Sequence, residues 1–498
     1  MNFPRTLCFL LASLAMGLPG ASVLAAPPAK ADAKADAKAD AKADSAASKA
    51  VLAFMRAEMQ ERRIPGLQIA VIRHRKVVFS SALGVANIQH GVPVDDRTVF
   101  SINSGTKSFT GVAIMQLLEQ GKLALDAPVS RYLDGLPAAW QAVTIAQLLN
   151  HTSGLPDVLD AEGDLLPGGM DGAWKSAQTL PVQFAPGQRF SYNQTNYVLL
   201  GKIIDRLSGE PFLAFIRHRQ FDVVGMPDSS FGDSADVIRN KANSYRFGRD
   251  GTLRNVVEEF PAAMRTGAGI NTSATELGKW IVALQQGRLL QPASLAAMWT
   301  PSSFADGRPA PWAMGWPAIR RGAQAHRALA GIGGGRSAFY IYPDDDLAVI
   351  ILTNLAGAQP EQLIDTVAGL YAPALRATGG GGLALYRLRE QTGRGGFDDI
   401  DGQLRQVIRQ YAVPNPSEAS LNGWGYRLLS RKQVKPAIAV LGLAARLYPD
   451  SANAHDSLAE AYQAAEDPAL AIRHYRRSLE LNPDNRNALA HLSALEKK

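Results

Sequence analysis

Two stretches with the pattern of paired β-strands lie far apart in the chain and bracket a largely helical region. GLQIAVIRHRKVVFSSALG, residues 66–84, is typical of two strands joined by a basic turn, and SAFYIYPDDDLAVIILTN, residues 337–354, is typical of a hairpin that turns at Pro343. Residues 104–119 carry apolar side chains at helical spacing, and residues 361–371 are typical of a closing helix. Strands at both ends with helices between them favour an α+β fold in which the two ends share one sheet.

The composition indicates the class of protein. With 498 residues, 46% of them hydrophobic and 19% charged, the chain has the profile of a globular protein of several domains. Its net charge of +7 is modest, and no dense Lys/Arg run is interleaved with aromatic residues, so nucleic-acid binding is not expected. The single cysteine, Cys8, excludes a cysteine nucleophile elsewhere in the chain. The eight histidines lack paired ligand spacing, so we expect neither a metal nor a cofactor.

The N-terminus has the features of a Sec-type signal peptide, predicted for residues 1–26. Arg5 provides a positive start, LCFLLASLAMGL a short apolar core, and VLAA small residues for cleavage. We therefore expect a periplasmic or secreted bacterial protein with no stable membrane span after cleavage, the alternative being an N-terminal anchor helix. Residues 27–46, built of AKAD units, are predicted to be a solvated low-complexity linker, since like charges recur every four residues.

The C-terminal segment contains an internal repeat with a period of 34 residues. The recurring pairs are Gly425/Ala459, Leu428/Tyr462, Ala437/Ala471, Leu441/Tyr475, Ala444/Ser478 and Pro449/Pro483. This pattern resembles the tetratricopeptide repeat, a pair of helices that approach closely through small residues. We predict such repeats over residues 418–498, joined to the rest by a Gly-rich linker and connecting helices over residues 376–417, with a flexible joint at Thr378–Gly382. The resemblance implies a protein partner for this segment. An ordinary helical bundle is the alternative.

A serine and a lysine three residues apart, Ser104 and Lys107, lie where an extended stretch gives way to a helix. About one helical turn separates them, so both side chains can lie on the same face. An uncharged lysine amine could accept the serine proton and so create a nucleophile. A serine at the start of a helix could equally be a plain N-cap. The spacing alone leaves both interpretations open.

Further motifs accompany this pair. They are LLNHTSGLPD at residues 148–157, PGQRFSYNQTNYVLLG at residues 186–201, TGAGINTSATEL at residues 266–277 and the closing YPDDDLAVIILTN. Together with Ser104-x-x-Lys107 they resemble the serine beta-lactamase and penicillin-binding family, in its class C beta-lactamase and family VIII esterase branch. The resemblance covers about residues 50–375, and we predict a beta-lactamase-like hydrolase domain over residues 47–375.

The resemblance implies a fold and a set of residue roles. The fold is an antiparallel sheet flanked by helices plus a helical domain, here followed by the small all-α repeat domain. Ser104 matches the acylated nucleophile, Lys107 its general base, and Tyr192 the tyrosine that passes a proton to the leaving group. Without the neighbouring motifs, Tyr192 would be interpreted as a core aromatic residue, as Tyr197 is.

Two positions depart from the family pattern. Gln194 stands where the family has the asparagine of a Y-x-N motif, and its extra methylene moves the amide. Asn193 could act in its place only if the loop shifts. The lysine or histidine of the strand motif beside the serine is missing, and counting back from SAFYIYP puts its position between Ala328 and Ala330.

The residues around this gap are the remaining candidates for substrate binding. Gly331 and Gly333 are candidates to supply a backbone N–H to an oxyanion hole beside the N–H of Ser104. A flexible loop is the alternative interpretation of the glycine cluster. The nearby cations are His326, Arg327 and Arg336. Either Arg327 or Arg336 could compensate for the missing cation.

These inferences favour an exported serine hydrolase that cleaves an ester or amide of a small-molecule or peptide substrate through a serine acyl-enzyme. Loss of the strand cation should weaken binding of carboxylate-bearing beta-lactams and stem peptides more than binding of neutral esters. Esterase or D-peptidase-like activity is therefore favoured over beta-lactamase or penicillin-binding activity. The other alternative is a degenerate hydrolase that binds an envelope partner through its repeats.

Overall fold

A computed structural model describes residues 30–248, 250–321, 326–376 and 381–496. The predicted signal peptide and residues 378–380 of the predicted joint lie outside the described residues. The chain divides into two units, Met1–Ser45 and Ala46–Lys498. None of the helices in the described ranges combines the length and the apolar character that crossing a bilayer requires.

Eight strands of the described residues form one antiparallel sheet in the order β3-β2-β1-β13-β12-β11-β10-β9. Their bounds are β1 Gly66–Arg73, β2 Lys76–Asn87, β3 Val92–Pro93, β9 Trp312–Ala313, β10 Trp316–Arg321, β11 His326–Gly333, β12 Ser337–Tyr342 and β13 Leu347–Thr353. Because β1 pairs with both β2 and β13, the N- and C-terminal hairpins share the sheet as the sequence predicted.

Five shorter strands come between β3 and β9 along the chain and belong to two smaller sheets. They are β4 Phe100–Ser101, β5 Ser230–Phe231, β6 Tyr245–Phe247, β7 Leu253–Asn255 and β8 Ile270–Thr272. Strand β8 pairs with both β4 and β5. The pairing of β4 with β8 fixes the backbone that leads into the Ser-x-x-Lys segment.

Helices cover both faces of the sheet. Those within or next to the sheet region are α1 Lys30–Arg62, α2 Thr106–Glu119, α3 Ile145–Leu149, α4 Gly169–Thr179, α5 Gln194–Ser208, α6 Phe212–Ile216, α7 Asp222–Val224, α8 Ala274–Gln285, α9 Pro292–Met298 and α10 Glu361–Tyr371. Residues 69–72 of β1 are all buried because alternate side chains enter two different cores. Ala70 and Ile72 pack with α2 and α8, whereas Ile69 and Val71 pack with α1 and α10. A continuous apolar run is the pattern expected for a strand covered on both faces.

Seven further helices complete the described chain. They are α11 Gly381–Gly395, α12 Ile400–Tyr411, α13 Glu418–Ser430, α14 Val434–Leu447, α15 Ala452–Ala464, α16 Pro468–Leu481 and α17 Arg486–Glu496. Helices α13–α16 form the two helix pairs that the 34-residue period predicted, and α17 follows them as a single helix packed on α16. A Cβ atom at Gly425 would lie 2.4 Å from Leu441, so the small residue is required where α13 meets α14.

The structure differs from three sequence-based expectations outside the site. The part of the AKAD linker that is described, from Lys30 onward, continues into α1 as helix, because the helix propensity of alanine outweighs the like-charge spacing. Gly381 and Gly382 begin α11 and so belong to a helix, not to the flexible joint. The connecting helices and the first repeat contribute Leu383, Leu421 and Leu443 to the same hydrophobic core as the sheet, so no break in the core follows residue 375 or residue 417.

Candidate active site

Ser104 lies in a tight turn between β4 and α2. The 3₁₀ turn Asn103–Gly105 leads directly into α2, and the N–H of Ile102 donates to the carbonyl of Ile270 on β8 at 2.9 Å. Neither the turn nor α2 has a side-chain cap, so the N-cap interpretation of Ser104 is wrong. Helix α2 is buried from Thr106 to Leu117, which fixes the serine on a rigid central element.

The Ser104 hydroxyl is hydrogen-bonded to the phenol of Tyr192, which donates to Ser104 Oγ at 2.9 Å. Tyr192 is 39% exposed and Ser104 is half-buried, so the pair faces solvent. Tyr192 is therefore not a core aromatic residue. Tyr197, which is fully buried, takes that role and donates to the Leu149 carbonyl at 3.1 Å.

Lys107 is buried, with 1% of its surface exposed, beneath the two tyrosines. Its Nζ lies 4.8 Å from the ring centroid of Tyr192 and 5.0 Å from that of Tyr197. It donates to Oε1 of Gln194 and to the carbonyl of Gly267, each at 2.9 Å. Within the described residues, Lys107 forms no ion pair with a carboxylate and no direct hydrogen bond with Ser104. These two hydrogen bonds hold Nζ between the Gln194 amide and the Gly267 backbone.

The amide next to Lys107 comes from Gln194, not from Asn193. Asn193 is the N-cap of α5: its Oδ1 accepts from the N–H of Asn196 and its Nδ2 donates to the Leu155 carbonyl at 2.7 Å. Both ends of the Asn193 amide are thus engaged away from Lys107. The Gln194 N–H donates to both oxygens of Asp157, at 3.1 and 3.0 Å, which fixes the start of α5. Burial raises the pKa of the Asp157 carboxyl, and these backbone hydrogen bonds oppose the shift.

Gly267 leaves the space that Lys107 occupies. A Cβ atom at Gly267 would lie 2.9 Å from Lys107 Nζ and 2.8 Å from Gln194 Oε1. The TGAG segment that precedes β8 therefore serves as one wall of the lysine pocket. Gly267 is needed because Lys107 approaches it closely, and its φ is not positive.

The end of β11 lies against the serine. A Cβ atom at Gly333 would be 1.9 Å from the Ile102 carbonyl oxygen and 2.9 Å from the Ser104 nitrogen. Gly334 and Gly335 follow with φ values of 58° and 61°, in a tight turn that only small residues form readily. The glycine cluster is therefore a strand end plus a hairpin turn, and the flexible-loop interpretation is wrong.

No cation stands at residues 328–333 of β11, the strand beside the serine. Ala328 and Ala330 point into the core on the face of the sheet away from α2, whereas Leu329 lies in the core that holds α2. Gly331 is on the α2 face, two residues before Gly333. A Cβ atom at Gly331 would lie 2.0 Å from the ring of Phe339, which is fully buried. An aromatic ring thus fills the space that a side chain at this position would need.

The nearby cations are committed to other partners. Arg336 is 4% exposed and its Nη1 donates to Ser244 at 2.8 Å and to Glu258 at 3.1 Å. Burial lowers the pKa of the Arg336 guanidinium, and Glu258 opposes that shift. Arg327 pairs with Asp344 at 2.6 Å, and the His326 ring contacts Asp345 at 2.9 Å. These contacts do not favour either arginine as a replacement for the missing cation.

His151 is a buried neighbour of Tyr192 whose contribution the sequence did not reveal. Its ring centroid lies 4.5 Å from that of Tyr192 and 5.0 Å from that of Trp312. The N–H of Asn193 donates to His151 Nδ1 at 3.1 Å, so Nδ1 carries no proton. Burial lowers the pKa of the His151 imidazole well below its usual range, and a charge on Lys107 acts in the same direction. The uncharged His151 ring therefore packs against the ring of Tyr192.

Comparison with known proteins agrees with this geometry. A family model described as Beta-lactamase matches residues 51–372, about two thirds of the chain. The chain belongs to this family. A Tetratricopeptide repeat model matches residues 452–485, which confirms the second predicted repeat.

Individual relatives are of several kinds. Over 234 residues the chain is 30% identical to "Putative penicillin-binding protein PbpX" of Bacillus subtilis, covering 47% of this chain and 58% of that protein. Over 191 residues it is 32% identical to "Esterase EstB" of Burkholderia gladioli, covering 35% of this chain and 48% of that protein. The octameric penicillin-binding protein homologue from Pyrococcus abyssi superposes with a TM-score of 0.57 at 26% identity, covering 69% of this chain and 81% of that one. The chain thus spans about half the length of these two curated relatives.

Proposed function

We propose that this protein is a serine hydrolase that cleaves an ester or amide through an acyl-enzyme on Ser104. The observation that carries the proposal is the hydrogen bond from the Tyr192 phenol to Ser104 Oγ, with Lys107 buried beneath the same phenol ring. A hydroxyl in this setting has a proton acceptor, a proton carrier and access to solvent. Membership of a serine hydrolase family supports the same conclusion.

The reaction proceeds in two halves. Ser104 Oγ attacks the carbonyl carbon while its proton passes to Lys107, and a tetrahedral oxyanion forms. The N–H of Ser104 and an N–H of the adjacent glycine turn stabilise that oxyanion, because Gly333 brings the turn against the Ser104 backbone. Tyr192 delivers a proton to the leaving alcohol or amine and is reprotonated by Lys107, so the C–O or C–N bond breaks and Lys107 is again uncharged. Water then adds to the acyl-enzyme and gives a proton to Lys107. The ester bond to Ser104 Oγ breaks, the proton returns to Oγ, and the acid is released.

The preferred substrate is a neutral ester. A carboxylate on the substrate would find no cation at position 331, where Phe339 fills the space, and Arg336 is bound to Glu258. A buried carboxylate without a partner is costly. Beta-lactams and stem peptides with a free carboxylate are accordingly disfavoured.

Export to the bacterial periplasm or medium is part of the proposal. The N-terminal sequence, with Arg5, an apolar stretch and VLAA, supports it. Fractionation of cells that express the full chain, with N-terminal sequencing of the mature protein, tests it. A chain that retains residues 1–26 in the cytoplasm would contradict export.

The hydrolase proposal is tested with a panel of p-nitrophenyl esters, nitrocefin and D-alanyl peptides, with Ser104→Ala as the matched control. We expect turnover of short neutral esters, little or no turnover of the carboxylate-bearing substrates, and none by Ser104→Ala. A folded protein that turns over no member of the panel would contradict the proposal. Rapid nitrocefin turnover would contradict the substrate preference alone.

A second candidate function is binding of a protein partner through the repeats, which the Tetratricopeptide repeat match over residues 452–485 favours. It is compatible with hydrolysis or, if the panel shows no activity, replaces it. Affinity capture from envelope extract with the full chain, compared with a chain that ends at residue 451, tests this function. Equal capture by both chains would contradict it.

A further inference from the structure

A buried series of side-chain hydrogen bonds links Asn103, the residue before Ser104, to the glycine turn and to the loop between β7 and β8. Asn103 Nδ2 donates to Glu258 Oε1 at 2.7 Å, and Glu258 Oε2 accepts from Arg336 Nη1 at 3.1 Å. Arg336 Nη1 also donates to Ser244 Oγ at 2.8 Å. The side chains of Arg336 and Glu258 are 5% and 10% exposed, so the pair is shielded from water.

These hydrogen bonds affect the position of Ser104 through Asn103. Asn103 has a φ of 43°, in the left-handed region, where a residue other than glycine needs support from its surroundings. Its side chain provides that support at both ends, since Oδ1 accepts from Ser101 Oγ and Nδ2 donates to Glu258. The backbone conformation of Asn103 sets the direction in which Ser104 leaves the turn.

The same hydrogen-bonded residues also fix the glycine turn, which forms the opposite wall of the site. A Cβ atom at Gly334 would lie 2.5 Å from Asn103 Nδ2 and 3.3 Å from Arg336 Nε, so the hairpin turn rests directly on Asn103 and Arg336. Glu258 is itself held by its backbone, because its N–H donates to Ser234 Oγ at 2.8 Å and its carbonyl accepts from the Ser234 N–H at 3.0 Å. The nucleophile and the turn that faces it thus share one buried anchor.

A buried ion pair seldom adds stability, because the cost of removing two charges from water offsets their attraction. Stability alone therefore gives no reason for a Glu–Arg pair at this place. Its geometry gives one, since each partner contacts a different wall of the site. Arg336 is thus occupied by Glu258 and is not available to a substrate carboxylate.

We propose that Glu258 is a positioning residue for the reaction proposed above: with Arg336 it holds Asn103, and through Asn103 it sets the orientation of Ser104 and its distance from the glycine turn. The inference rests on the proposed hydrolase function. Glu258 and Arg336 should therefore affect the rate of acylation of Ser104 and should leave substrate affinity unchanged.

The test uses the full chain with two variants that remove the anchor in different ways. Asn103→Gly loses the side-chain bonds but tolerates the positive φ and keeps the Glu258–Arg336 pair, so it is expected to fold. The double variant Glu258→Met with Arg336→Met removes both buried charges together, which avoids leaving one unpaired. Glu259→Gln, the exposed neighbour of Glu258, is the matched control. Each is measured for its melting temperature, for kcat and KM on a neutral p-nitrophenyl ester, and for the rate of labelling by a fluorophosphonate.

We expect both anchor variants to be labelled about tenfold to a hundredfold more slowly, as for a displacement of the nucleophile on the order of 1 Å. The value of kcat should fall in parallel with the labelling rate, KM should stay within about twofold, and Glu259→Gln should match the wild type. Folded variants with wild-type labelling and kcat would overturn the positioning role and leave the hydrolase proposal intact. A rise in KM at constant kcat would also overturn it. A folded wild type that is neither labelled nor active would overturn the hydrolase proposal and, with it, this inference.

Discussion

The backbone of Gly333 lies directly against the backbone of Ser104, so closely that a Cβ atom at position 333 would be 2.9 Å from the Ser104 nitrogen. This contact joins the central sheet to the start of α2 without any intervening side chain. It places the N–H of Ser104 beside the glycine turn, which would face the reacting carbonyl in the proposed reaction. The arrangement makes Gly333 a sensitive position for activity.

Gly333→Ala should slow acylation severely. Its methyl group would meet the Ile102 carbonyl oxygen at 1.9 Å, so either α2 or β11 must move. We expect the rate of fluorophosphonate labelling to fall at least about a hundredfold, together with a lower melting temperature. Gly393→Ala is the control, since Gly393 lies in α11 with nothing within 4 Å of an added Cβ atom. That variant should be active and about 0.5–1 kcal/mol more stable, because alanine favours the helix. Normal labelling of Gly333→Ala would contradict the packing described.

Gln194, and not Asn193, should be the amide that supports Lys107. Gln194→Ala removes one of the two hydrogen-bond acceptors of Lys107, so we expect a loss of about tenfold or more in kcat on a neutral ester with little change in melting temperature. Asn193→Ala removes the α5 N-cap and should lower stability by about 1 kcal/mol. Gln188→Ala, at an exposed position nearby, serves as the control. Equal kcat values for Gln194→Ala and Gln188→Ala would refute this assignment.

The buried His151 should make stability depend on pH. Its pKa is lowered in the folded state, whereas in the unfolded chain it is about 6.5. Below about pH 6.5 the unfolded state therefore binds a proton that the folded state does not. Stability from this residue is complete above the unfolded pKa and is lost as the pH falls below it, by at most about 1.4 kcal/mol per pH unit.

Urea unfolding of the wild type and His151→Asn at pH 7.5 and pH 5.5 checks this effect. Asparagine tolerates the positive φ of 56° at this position and can accept from the Asn193 N–H. We expect the free energy of unfolding to fall by about 1 kcal/mol more in the wild type than in the variant. His474, whose pKa burial and His455 lower to about 4, contributes in the same direction and cancels in the comparison. Identical pH dependences would show that His151 is not the cause.

The connecting helices and the repeats should not be removable together as one piece. Leu383, Leu385 and Leu388 of α11 are buried in the core that also holds β1 and β13, so a chain that ends at residue 382 should be insoluble or unfolded. A chain that ends at residue 451 keeps the first helix pair and should remain folded and active. Circular dichroism and ester hydrolysis of the two truncations provide the measurement. A soluble, active chain ending at residue 382 would contradict the shared core.

Sequence reasoning predicted the elements whose signals are local. The hairpins, the start of α2 near Ser104, the closing helix and the helix pairs follow from periodicity and turn residues. The Ser104, Lys107, Tyr192 and Gln194 side chains were named from their motifs, and the fold brings them together.

What the sequence could not predict depends on distant contacts or on register. Counting back along the hairpin puts the missing cation between Ala328 and Ala330, and only the register of β11 shows that Leu329, Gly331 and Gly333 lie on the side of the sheet that faces α2. Glu258 is 155 residues from Asn103, and no local pattern indicates their contact. Asparagine tolerates a positive φ better than most residues, but the positive φ of Asn103 itself is visible only in the structure.

Mass spectrometry of the full chain after reaction with a fluorophosphonate tests the central claim most directly. The account predicts one adduct per chain, mapped by peptide sequencing to Ser104, absent from Ser104→Ala and strongly reduced in Lys107→Ala. A folded wild-type chain that stays unmodified, or one that carries its adduct on another serine, would contradict the account.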